Sequence, residues 1–220
     1  MGLVFIAIQD SQGKLRKELR LFASIWVTIS IFDSWLTANH VAGFGSLKEP
    51  FNQLFPLIFV LLGDFRYFYW SEGLEQNQWS PQVRRLALAA LWTLIVPVLS
   101  KLILMGLPSP HAENSRILFL VYEALFVGIA LLHFNQKLKS QNLKSDQLDW
   151  FKSVRSYVVT YYSLWATADL WILSCEWLSA SSSLRDFGFL LRVFPNVLYY
   201  GGLIPWIVTY PTRSSFTQKT

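Results

Sequence analysis

Leu86-Ala-Leu-Ala-Ala-Leu-Trp-Thr-Leu-Ile-Val-Pro-Val-Leu-Ser100 is fifteen residues without one charge, and the apolar run continues past Lys101 to Leu107. A hydrocarbon layer needs roughly 17–25 apolar residues as helix, so Leu86–Leu107 reads as a transmembrane span. An isolated strand would leave its backbone groups unpaired in lipid, so helix is the expected state. The ten-residue alternation of an outer-membrane barrel is absent.

Five further stretches pass the same test: Leu21–Asn39, Leu54–Trp70, Arg116–Phe134, Tyr157–Leu178 and Phe187–Tyr210. The expected fold class is therefore all-α, a polytopic integral membrane protein with a six-helix transmembrane domain over residues 21–210. Residues 1–20 read as a basic or interfacial segment and 211–220 as a tail. Gly2–Ile8 is apolar but too short to span, and it lacks the basic n-region and cleavage site of a signal peptide. The connection Asn135–Ser156 reads as a polar loop ending in a juxtamembrane turn.

Composition agrees. Of 220 residues 53% are hydrophobic and 15% charged, with a net charge of +5. Soluble domains carry about 25% charged residues. The deficit excludes a disordered chain and a basic nucleic-acid-binding domain, and argues against a soluble enzyme. Ten Trp, nine Tyr and seventeen Phe suit the bilayer interfaces. The single Cys175 excludes an intrachain disulfide.

Positive charge sets the orientation, because Lys and Arg favour cytoplasmic loops. With both termini inside, the inner segments hold Lys14, Arg16, Lys17, Arg20, Arg84, Arg85, Lys137, Lys139, Lys144, Lys152, Arg155, Arg213 and Lys219. The outer loops hold Lys48, Arg116 and Arg185. This bias alternates through every connection. A plasma or inner membrane is the expected location. The +5 is thus a topology signal laid over an acidic membrane layer.

A weak internal echo relates spans one and two to five and six. Trp35-Leu-Thr-Ala38 resembles Trp177-Leu-Ser-Ala180, and each precedes a Phe-Pro, at Phe55-Pro56 and Phe194-Pro195. Parallel repeats of helical hairpins occur in transporters.

Eight ionisable residues fall inside the spans: Asp33, Asp64, Arg66, Lys101, Glu123, Asp169, Glu176 and Arg192. Such groups cost several kcal/mol in lipid and face the bundle interior. Asp169 falls near the midplane, and Asp33, Lys101, Glu123 and Arg192 in the outer half. Arg192, Asn196 and Tyr199 share one face of the sixth span. Asp64 and Arg66 are two apart, so they point to opposite sides, and Arg66 is expected to snorkel to the inner interface. Lys101 and Arg192 each neutralise one outer carboxylate, which leaves at least one acid to hold a proton or recruit a cation. Pro97, Pro195, Pro205 and Gly201-Gly202 are expected to interrupt the third and sixth spans.

Asp33, Glu123, Asp169, Arg192, Asn196 and Tyr199 are accordingly the candidate proton-, ion- or substrate-binding residues. His40, His111 and His133 lack metal-ligand spacing, and no motif implies a cofactor. The leading expectation is a small transporter or channel-like protein. The alternatives are a non-catalytic subunit or assembly factor of a membrane complex, and a membrane-embedded enzyme acting on a lipid or isoprenoid. Partners are expected to be membrane lipids and further copies or other membrane subunits, not nucleic acid.

Overall fold

The computed structural model describes residues 51–72, 82–108, 114–139 and 145–202, together with positions 24, 25, 28 and 31. The N-terminal segment, nearly all of the first span, the tail and the end of the sixth span lie outside the described residues, as does the first half of the Trp-Leu repeat.

The described chain is helical and contains no strand. Four long helices, α1 (Phe51–Glu72), α2 (Gln82–Met105), α3 (Ser115–Lys139) and α4 (Ser145–Trp177), are followed by α5 (Ser182–Leu191) and α6 (Val193–Val197). A single π turn, Leu198–Gly202, follows α6 directly. Each long helix packs on the next, and α4 carries both α5 and α6.

Among the described residues, two helices are long and apolar enough to cross a membrane, through Val83–Met105 and Arg116–Lys139. At 23 and 24 residues they measure about 35 Å. The second, fifth and sixth expected spans, where described, do not stand out this way. Asp64 and Arg66 interrupt the apolar run of α1, and charges fill the first half of α4. The sixth is divided between short elements.

The outer face of α2 is apolar. On α2, Leu91, Leu94, Val98 and Leu102 are exposed, while Thr93 and Ser100 are buried. Those two hydroxyls donate back to the Ala89 and Val96 carbonyls at 2.7 and 2.8 Å, so neither needs a partner outside its own helix. Asp64, Arg66, Glu72, Glu123, His133 and Asp169 are all buried.

Aromatic rings make up most of the core. Phe126 stacks on Tyr162 at 4.1 Å, and Tyr67, Phe68, Phe151, Tyr161, Trp165 and Tyr199 continue the cluster. At the end of the bundle carrying Glu72, the Arg85 and Arg155 guanidiniums lie over Tyr69 and Phe134 at 3.9 and 4.1 Å.

Three expectations are corrected, and the break expected near Pro195 is located. The loop expected through residue 156 is helical from Ser145, because Trp150, Phe151, Val154 and Val158 bury one continuous stripe. Arg66 does not snorkel. Its side chain is buried, with Nε donating to the Gly63 carbonyl at 3.0 Å and the guanidinium 4.9 Å from the Tyr199 ring. Pro97 does not interrupt α2, which runs through it. The sixth segment breaks at Arg192, three residues before Pro195, since a proline supplies no N–H to the last carbonyls of α5.

Candidate functional site

Asn114 starts the site by capping α3. Its Oδ1 accepts the Arg116 and Ile117 backbone amides at 2.9 and 3.4 Å, as an N-cap should. Arg116 thereby enters the first turn of α3, and its side chain reaches α4. Its Nη1 stands 3.5 Å from Asp169 Oδ1 and its Nε 3.3 Å from Glu176 Oε1, with the Phe189 ring beneath at 4.8 Å.

Arg192 approaches the same oxygen of Asp169 from the break between α5 and α6, at 3.2 Å. The side chain of Asp169 is fully buried, whereas those of Arg116 and Arg192 retain 21% and 31% of their exposure. The guanidiniums therefore lie between the carboxylate and the outside. The Glu123 carboxyl adjoins Asp169 from α3. Glu123 Oε2 and Asp169 Oδ2 are both buried and without a hydrogen-bond partner among the described residues.

Two guanidiniums thus face three carboxyls, Glu123, Asp169 and Glu176. Two carboxyls that share a buried site cannot both keep a full charge without a counter-ion. A proton between Glu123 and Asp169, or a cation on their unpartnered oxygens, balances the cluster.

Below this group α4 pairs with the sixth segment rung by rung. Trp165 Nε1 donates to Asn196 Oδ1 at 2.8 Å, and the Tyr161 and Tyr199 rings meet edge to face at 5.6 Å. The Tyr157 hydroxyl donates to the Leu198 carbonyl at 2.8 Å, inside the π turn. Of the sequence-selected residues, Glu123, Asp169 and Arg192 come together. Asn196 and Tyr199 sit one and two rungs deeper, and Asp33 lies outside the described residues.

Lys101 does not take the role expected of it, because it is exposed on α2 and Arg116 supplies the second base. Arg116 reads from sequence as an outer-loop charge. The asparagine two residues before it was the usable signal.

Two further polar groups were not selected from sequence. The Asp64 carboxyl, fully buried, accepts hydroxyls from Tyr122 of α3 at 2.5 Å and from Tyr162 of α4. Glu72, past the expected end of its span, accepts Lys137 Nζ at 2.7 Å and lies 2.9 Å from His133 Nε2. Burial pushes the Glu72 carboxyl up, but the His133 and Lys137 hydrogen bonds outweigh it and hold Glu72 below the usual carboxylate range. Nothing in the sequence spacing joins residues 64, 122 and 162, since the link exists only after packing. Among the described residues no group of three His, Cys, Asp or Glu is arranged to hold a metal ion.

Compared with known proteins, the chain matches no family model, no curated protein and no solved structure.

Proposed function

We propose that this chain is a small polytopic membrane protein with six spans and both termini on the cytoplasmic side, and that it transports a proton or a cation. The Glu123–Asp169 carboxyl pair holds the ion. Arg192 and Arg116 set the charge against which it is held, and Asn196 and Tyr199 line the approach from the sixth span. Asp33 of the first span contributes a further carboxyl.

One observation carries the reading: two adjoining buried carboxyls, each with an unpartnered oxygen, beside guanidiniums too few to neutralise the cluster. Ionisable groups at membrane depth mark ion pathways more often than they serve packing. The apolar outer face and polar interior of α2 support residence in lipid.

Flux in vesicles tests it. The purified chain is reconstituted with an entrapped pH, Na⁺ or K⁺ indicator, and the matching proton, Na⁺ or K⁺ gradient is imposed in turn. One of the three is expected to move, and Asp169→Asn to abolish that movement. Flux unchanged in Asp169→Asn overturns the role of that residue. A wild-type protein that moves none of the three overturns the reading.

A further inference from the structure

Asp64 has no part in the site just described, yet it is as deeply buried as Asp169. The groups facing it are Arg66 of its own helix, Tyr122 of α3, Tyr161 and Tyr162 of α4, and Tyr199 of the π turn. Its two hydroxyl donors stand on the helices that carry Glu123 and Asp169. Tyr122 immediately precedes Glu123, and Tyr162 lies two turns, about 10 Å, from Asp169 along one face of α4.

The inward direction is also furnished with a hydroxyl. Tyr67 follows Asp64 by one turn on α1, and its hydroxyl is buried without a hydrogen-bond partner among the described residues. Its ring stacks on Phe151 at 6.3 Å and lies edge-on to His133 at 6.0 Å. His133 in turn holds Glu72, eight residues and about 12 Å from Asp64 along α1.

We propose that Asp64 is a second proton-carrying group, and that protons held at Glu123 and Asp169 cross to the Glu72–His133 pair by way of Asp64 and the Tyr122, Tyr162 and Tyr67 hydroxyls. This rests on the reading of Glu123 and Asp169 as a proton site. In each step a phenol oxygen gains a proton from the outer side while its own hydroxyl proton passes to an Asp64 oxygen. The phenol is regenerated, Asp64 becomes neutral, and no electrons change hands. Neutral Asp64 then releases its proton inward through one water to the Tyr67 oxygen as the Tyr67 hydroxyl passes its own proton on to the Glu72–His133 pair, so the phenol is regenerated and the Arg66 cation balances the carboxylate that remains.

The test uses the full chain in vesicles with an entrapped pH indicator, read alongside infrared difference spectra between acid and neutral pH. Asp64→Asn is expected to slow proton movement about ten-fold or more and to remove one neutral-carboxyl band. Asp169→Asn is expected to remove a different band, and Tyr67→Phe to slow movement while both bands remain. Wild-type conduction with an equal rate in Asp64→Asn overturns the Asp64 route and leaves the proposed function standing. A wild-type chain that conducts no protons overturns the proton reading and this route with it. Should Asp64→Asn fail to fold, Tyr162→Phe keeps the carboxyl and deletes one donor. An unchanged rate and an unshifted band in that variant overturn the proposal.

Discussion

At the scale of single residues, Gly63 shows how closely the polar interior is assembled. A Cβ there would overlap the Tyr199 hydroxyl, so only glycine lets the π turn bring that ring against α1. The same backbone supplies the carbonyl that takes Arg66 Nε, and the Arg66 guanidinium lies against the same ring. Gly63→Ala is therefore expected to cost about 1–3 kcal/mol, as overpacking does. Thermal unfolding in detergent measures it, and a variant as stable as wild type would mean that Tyr199 has room to move. The sequence places Asp64 and Arg66 within one apolar helical run, but it sends Arg66 to the interface. Arg66 has the reach to snorkel. What keeps it inside is the Gly63 carbonyl of its own helix together with the Tyr199 ring that the π turn brings to it.

At the scale of elements, the turn between α4 and α5 carries a local strain. Ser179 adopts φ 51, and the Ala180 amide closes the helix end on the Cys175 carbonyl at 2.9 Å. This is the place where helices prefer glycine, because a Cβ in the left-handed region costs about 1–2 kcal/mol. Ser179→Gly is expected to stabilise the protein by about 1 kcal/mol, seen as a higher midpoint in thermal unfolding. Gly188 belongs to the same corner. A Cβ on it would come within 2.5 Å of Ile172 and 2.9 Å of Trp171, so it sets how near α5 approaches α4.

The pairing of α1 with α3 through Glu72, His133 and Lys137 has a definite pH signature. The folded-state Glu72 is more acidic than in the unfolded chain, so its contribution is complete above the ordinary glutamate value of 4.5 and lost as pH falls through the folded value. Stability is expected to decline in that acid window for wild type and to decline less for Glu72→Gln. Melting curves recorded from neutral pH downward would show it, and parallel curves would separate Glu72 from the effect. Helix existence at α1, α2, α3 and α4 was legible from apolar runs. The first turns of α4 were not, because Trp150 and Phe151 are adjacent and only their packing against α3 and α1 shows that both belong to the buried face.

At the scale of the whole molecule, Asp64, Arg66, Glu72, Glu123 and Asp169 are buried while many leucines, among them Leu91, Leu94 and Leu102, are exposed. The six-span reading is tested by the accessibility of single cysteines in a Cys175→Ser background. Lys48→Cys and Arg185→Cys are expected to react with an impermeant reagent added outside intact cells, whereas Arg84→Cys and Lys144→Cys react only after permeabilisation. Labelling of any inner pair member from outside would break the alternation of the topology.

The sequence by itself determined what depends on composition and local period: helical segments, their apolar lengths, the uneven spread of Lys and Arg between segments, and acidic residues set within apolar runs. These follow from the cost of burying backbone and charge, which is paid residue by residue. Only the tertiary structure decided which charges meet. Arg116 joins Asp169 because Asn114 winds it into α3, Lys101 stays outside because it lies on the exposed face of α2, and Asp64 finds its hydroxyls on two other helices. Such pairs join residues 53, 58 and 98 positions apart. No local pattern can encode them, since they are set by the rotation and depth at which whole helices pack.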